Sequence, residues 1–126
     1  MTLPVTILYG TLSILVTLLL ALNTSLYRMR HRVFVGMPVP DPLHRRVRAH
    51  GNSAEWLAAT TLLLAFLELQ RAPSLWLHLF GGGMLLARLF HSGFMLARSR
   101  LSVWSATAMY ILAFAMGLWS AWLRLR

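Results

Sequence analysis

Four apolar runs take up almost all of this chain, at about residues 3–26, 49–69, 75–97 and 102–123. Each is about 20 residues or slightly more, enough to cross a hydrocarbon core of about 30 Å as a helix. The fold class that follows is all-α: an integral membrane four-helix bundle, expected as one domain over residues 1–126. Composition agrees, since the chain is 58% hydrophobic and 12% charged, against roughly 25% charged in soluble domains. The first run reads as a span and not as a signal peptide. It lacks a basic leading region, exceeds the usual apolar length, and no small-x-small cleavage site follows it.

The net charge is +9, and apart from histidine every basic residue is arginine. A nucleic-acid interface is one conventional meaning of such a charge, but here the charge is juxtamembrane and no nucleic-acid partner is expected. Arg28, Arg30, Arg32, Arg45, Arg46 and Arg48 surround the first loop, and Arg98 and Arg100 lie in the third. Arg71, Arg124 and Arg126 fall on the other side. The positive-inside rule then makes loops 1 and 3 cytoplasmic and puts both termini on the non-cytoplasmic side. Cysteine is absent, so any sulfur nucleophile must come from a ligand, and no thiolate metal site exists. No metal is expected.

Loop 1 carries Gly36, Pro38, Pro40 and Pro42, which rule out a continued helix. Loop 2 is short, with Pro73 ending the second helix and Ser74 predicted to cap the third. Short loops 2 and 3 make the last three helices antiparallel neighbours. Trp76, Trp104, Trp119 and Trp122 sit near span ends, where indoles favour the interface. Gly81, Gly82 and Gly83 are expected to let another helix approach closely.

Against this background the polar residues of the spans stand out. Arg48, Asn52 and Glu55 occupy positions i, i+4 and i+7 of the second run, on one helical face. In the third run Arg88 and His91 share a face. Measured from the cytoplasmic end at 1.5 Å per residue, Glu55 lies about 10 Å deeper than Arg48, and Arg88 about 15 Å deeper than Arg98. An unpaired charge at such depth is costly, so Glu55 and Arg88 are expected to form an interhelical ion pair. Asn52 and His91 occupy roughly one level. The expected result is a polar vestibule open to the cytoplasm, suited to a small zwitterion with more carboxylates than amines. Glu68 and Arg71 read as a weak local i, i+3 pair.

The stretch Arg48-Ala49-His50-x-Asn52-x-x-Glu55 resembles a helix signature of the MAPEG family, the membrane-associated proteins in eicosanoid and glutathione metabolism. The likeness is to small bacterial members and to the branch of microsomal prostaglandin E synthase. Asp41-Pro42 upstream, Arg88-x-x-His91, and Arg28-x-Arg30 at the end of helix 1 add to it, and all four spans agree in order and length. The resemblance implies a homotrimer with glutathione between subunits near the cytoplasmic side. It implies Arg48, Asn52 and Glu55 as glutathione contacts, with Arg28 or Arg30 and His91 as further ones. An arginine near the start of helix 4 stabilises the glutathione thiolate in active relatives, which makes Arg100 the first candidate here and Arg98 the second. The sequence departs from active relatives at Met95, where they often place a tyrosine.

Three function classes are carried forward. The first is a membrane-bound glutathione-dependent transferase or peroxidase acting on a lipophilic electrophile from the bilayer, in a bacterial inner membrane. The second is a non-catalytic lipid- or glutathione-binding relative, favoured by Met95. A small multidrug exporter ranks below both, because helix 1 lacks the carboxylate such exporters rely on. A bis-histidine haem protein through His50 and His91 would announce itself by a Soret band.

Overall fold

A computed structural model describes residues 2–125 as four helices, α1 (Pro4–His31), α2 (Asp41–Leu69), α3 (Ser74–Leu96) and α4 (Leu101–Leu125). Arg126, counted above among the basic residues, lies outside the described residues. The helices alternate in direction. The start of α2 meets the end of α1, where the Arg46 guanidinium lies 4.4 Å over the Tyr27 ring and its Nε donates to Asn23. The end of α2 meets the start of α1, where Glu68 accepts the backbone N–H groups of Val5 at 2.9 Å and Thr6 at 2.7 Å. In cross-section α2 and α3 form the central pair. α1 packs on one side of that pair and α4 on the other, and the α1 and α4 backbones do not come within 8 Å of each other, Cα to Cα.

Three helices, α1, α3 and α4, are long and apolar enough to cross a membrane. The expected fourth span, α2, is long enough but too polar, because Arg48, Asn52, Glu55 and Glu68 interrupt it. It nevertheless packs against all three of the other helices. α2 also begins at Asp41, well before the apolar run, because Pro42 at its first turn is compatible with helix initiation.

The interior suits a chain whose outside faces lipid. Most large apolar side chains of α1 and α4 are exposed, whereas Ser13, Thr17, Ser53, Thr60, Ser105 and Ser120 are buried. Hydroxyls return bonds to their own helix, as from Thr17 to Ser13 O and from Thr60 to Trp56 O. They also bridge helices, as Thr17 and Ser53 do at 2.8 Å. Small polar side chains allow close approach while their hydroxyls find acceptors on their own or a neighbouring helix.

Two local expectations change. Ser74 is the first residue of α3, and Pro73 takes the cap position with no side-chain cap bond. Glu68 does not pair with Arg71. It serves instead as an N-terminal cap for α1 supplied from another helix, where its charge also complements the helix dipole. Each of the three interhelical connections holds an arginine in the left-handed region, Arg32, Arg71 and Arg98, with φ of 52°, 59° and 57°.

The close approach expected at the glycines is realised by Tyr9 of α1. A Cβ on Gly81 would stand 2.3 Å from the Tyr9 ring, whereas one on Gly83 would meet Leu112 at an ordinary 3.5 Å. Gly81→Ala is expected to lower unfolding stability in micelles by about 1–3 kcal/mol through overpacking. Gly83→Ala is expected to be neutral or slightly stabilising, since alanine is the better helix former. Equal effects at the two sites would contradict this packing.

Candidate functional site

Arg88 is the most deeply committed of the polar residues. It is 1% exposed, donates from one terminal nitrogen to Ser53 O at 2.8 Å, and from the other to Thr60 Oγ1 at 3.0 Å. Thr60 can accept because its own hydrogen goes to Trp56 O. The expected ion pair with Glu55 is not formed: among the described residues no carboxylate lies within 4.0 Å of Arg88. Depth was matched but direction was not. Ser53 is the residue of α2 that faces Arg88, and Glu55 is two residues on, turned by about 200° at 100° per residue. Its carboxylate is exposed on the opposite face of α2.

Arg48 and Glu55 are exposed and Asn52 is half-buried. None of the three makes a hydrogen bond or ion pair within the described chain. The shared face is as expected, but it looks away from the protomer's own core, which α2 meets through Ser53 and Thr60.

Three open grooves follow one another along α4 and share wall residues, forming a track. The first, of ≈ 470 Å³, brings Arg48 together with Arg98 and Arg100, and with Arg45, Met95 and Ser102 among its other walls. Four guanidiniums there face one carboxylate, Asp41, which pairs with Arg45 and stands 3.8 Å from Arg98. That last contact is exposed and contributes little. The second groove, of ≈ 350 Å³, shares Ser102 and Val103 with the first and adds His91, Thr107 and Tyr110. The third, of ≈ 380 Å³, shares Tyr110 with the second. It is otherwise apolar, with Trp56 and Leu63 on α2 facing Phe114, Gly117 and Leu118 on α4. The track thus passes from cationic to hydroxyl-rich to hydrocarbon.

His91 is 7% exposed, and α4 fixes its ring. Nδ1 lies 2.9 Å from Ser102 O and 3.1 Å from Ser105 Oγ. A carbonyl only accepts, so Nδ1 carries the hydrogen.

Arg28 is half-buried and Arg30 exposed near the end of α1. The α1 and α4 backbones stay more than 8 Å apart, Cα to Cα, and neither arginine lines the track. Asn52 lines none of the three grooves, though it sits one turn before Trp56 on the same side of α2. Trp56, Ser102, Thr107 and Tyr110 were not anticipated. Trp56 was signalled by its i+4 spacing from Asn52, and Tyr110 as a lone phenol in an apolar span.

A polytopic helical membrane protein with an arginine-lined mouth and an apolar arm is what these features define. Comparison with known proteins narrows this. The model of the MAPEG family matches residues 6–122, and the chain belongs to that family. It is also 33% identical over 87 residues to the "Inner membrane protein YecN" of Escherichia coli strain K12, and equally to that of strain O6:H1. Those matches cover 69% of this chain and 66% of the relatives, just under two thirds of their length. The chain is an integral membrane protein similar to bacterial inner membrane proteins.

The buried bonds of Arg88 make a direct test. Thr60→Val keeps the shape and removes the acceptor, leaving a guanidinium N–H unpaired, at a cost of about 1–3 kcal/mol in unfolding stability. Thr107→Val removes an exposed hydroxyl bonded to Val103 O and is expected to change stability by less than about 0.5 kcal/mol. Reversible unfolding in mixed micelles compares the two, and a tolerated Thr60→Val would show that Arg88 has another acceptor.

Proposed function

We propose that the protein is a membrane-bound glutathione-dependent transferase or peroxidase, with glutathione at the arginine-lined mouth and a lipophilic electrophile in the apolar arm. One observation carries the reading: Arg48, Arg98 and Arg100 converge on a groove that is linked, by walls shared with the His91 groove, to a hydrocarbon-lined one. A ligand with more carboxylates than amines suits the first, and a molecule arriving from the bilayer suits the last. MAPEG proteins often bind glutathione, which agrees with this assignment.

In this reading Arg48 grips a carboxylate, where guanidinium geometry allows two parallel bonds. Arg100, with Arg98 second, holds the sulfur as thiolate, since a fixed cation lowers a thiol's pKa and raises the nucleophilic fraction. The thiolate attacks the acceptor, and His91 is a further contact. Arg28, Arg30, Asn52 and Glu55 enter through a neighbouring copy. Asn52 and Glu55 lie on a face without partners in their own chain, and the two α1 arginines stand across the bundle from the track. A polar face turned toward lipid is costly, and a homotrimer with glutathione between subunits covers it. Loops 1 and 3 would be cytoplasmic, with both termini outside.

A second reading has a specific observation behind it. Met95, not a phenol, lines the arginine groove, and the YecN relatives are named only as inner membrane proteins. A non-catalytic protein that holds glutathione or lipid would fit both.

Isothermal titration of glutathione into the detergent-solubilised protein tests the first claim. Binding is expected, and Arg48→Ala is expected to weaken it about tenfold to a hundredfold, as loss of a charge-assisted bond does. Absence of glutathione-dependent heat would remove both glutathione readings. Turnover of a generic electrophile, reduced chiefly in kcat by Arg100→Ala, selects the enzyme, and binding without turnover selects the second reading.

A further inference from the structure

The connection between α1 and α2 carries a stretch unlike a solvated loop. Residues 33–40 run Val-Phe-Val-Gly-Met-Pro-Val-Pro, with no charged, hydroxyl or amide side chain. Val35 is 96% exposed and Phe34 60%, and Met37 and Val39 are exposed beside them. The stretch has a defined shape. The N–H of Arg32 goes to Met29 O and that of Val33 to Arg28 O, with Arg32 in the left-handed region, which closes α1 with a Schellman cap. Met37 N–H then reaches Phe34 O across Gly36, whose φ of 89° is the angle a type II turn requires there. Pro38 and Pro40 stiffen the return to α2. Val35 is thereby held at the tip. α1 has 28 residues, about 42 Å at 1.5 Å per residue, which matches a bilayer with both headgroup layers, about 40–45 Å. Arg32, the next residue after α1, therefore falls at headgroup level. Its side chain makes no hydrogen bond or ion pair among the described residues, and Asp41, the acidic residue nearest in sequence, pairs with Arg45.

We infer that this connection is an interfacial anchor: its apolar tip inserts among the lipids of the adjoining leaflet while Arg32 holds an acidic phospholipid headgroup. Contiguous exposed apolar side chains mark a membrane or partner surface, and Phe34, Val35, Met37 and Val39 each gain by leaving water. Charge selects the occupant. The tip follows Arg28, Arg30 and Arg32, and no acidic residue occurs before Asp41. A second copy of the chain would bring the same basic residues to the contact, whereas an anionic leaflet neutralises them. A guanidinium matches a phosphate through two parallel hydrogen bonds. Apolar insertion and attraction of basic residues to acidic lipid add to one attachment. Arg28 and Arg30 belong to the glutathione reading, but Arg32 does not, and the anchor needs neither glutathione nor turnover.

The chain has no cysteine, so Val35→Cys places a single reactive thiol on the tip, at a position with almost no packing to disturb. The full chain, spin-labelled there, is placed in nanodiscs of phosphatidylcholine with phosphatidylglycerol raised in steps from none to equal parts. Collisions of the label with oxygen, which enters lipid, are compared with collisions with a neutral, water-soluble nickel chelate. As phosphatidylglycerol rises, access to nickel is expected to fall severalfold while access to oxygen is kept. Arg32→Gln is expected to need about fivefold more phosphatidylglycerol for half of that change, the worth of one basic residue at an acidic surface. Arg32→Lys is expected to recover most of the difference. A label open to nickel at every composition would show a solvated loop and overturn the inference. A label shielded from both reagents would show a tip covered by protein, a second copy included, and would overturn it as well. Insertion that is complete without phosphatidylglycerol, or that Arg32→Gln leaves unchanged, would remove the acidic headgroup. The lipid series with Arg32 in place decides even if Arg32→Gln fails to fold.

Discussion

Two turns of α2, from Ser53 to Thr60, are where the other three helices meet. Ser53 bonds through its hydroxyl to Thr17 of α1 and through its carbonyl to Arg88 of α3. Thr60 accepts from the same guanidinium, and Trp56 packs against Tyr110 of α4. Arg88 is a buried cation without a carboxylate beside it, so its stability depends on these neutral acceptors being in place. Once they are, the rotation of α2 is fixed, and with it the direction of its opposite face. Asn52 and Glu55 point outward because Ser53 points in. The cationic mouth is set by the same constraint, since Arg48 reaches the groove of Arg98 and Arg100 from one helical turn before Asn52.

Much of this was legible in the sequence, and the failures have a common cause. Apolar run length gave the helices, and the i, i+4, i+7 spacing gave the shared face of Arg48, Asn52 and Glu55. Depth arithmetic put Glu55 level with Arg88, but level is one coordinate and azimuth another. The two charges stand on opposite sides of α2. Glu68 looked like half of a local pair with Arg71. Its acceptors' true partners, the N–H groups of Val5 and Thr6, lie more than sixty residues away in sequence, and no local pattern encodes that. Ser and Thr side chains in lipid can satisfy their own helices. Several do, but Ser53, Thr60 and Ser105 also join helices.

α2 shows how polar residues can be used by a helix that sits between others. Its polar residues lower its mean hydropathy below that of its neighbours, yet Ser53 and Thr60 are consumed by bonds to α1 and α3. Arg48 and Glu68 lie toward the ends. Ser53, Thr60 and Glu68 are polar residues through which α2 serves as the centre of the bundle. α4 is the reverse case: apolar, with little of its surface buried in the protomer, it leaves room for a track along its side.

The clamp on α1 has a consequence for how the protein is made. α1 precedes the other three helices in the chain and is a largely apolar rod with no charge between Pro4 and Arg28 to fix its height in the bilayer. Its amino end acquires a cap, and its carboxyl end an arginine over Tyr27, when α2 follows it into the membrane. The first helix can slide and rotate until the second arrives. The first two helices therefore hold each other at both ends, and the mouth of the site is complete only where α2 meets the α3–α4 connection.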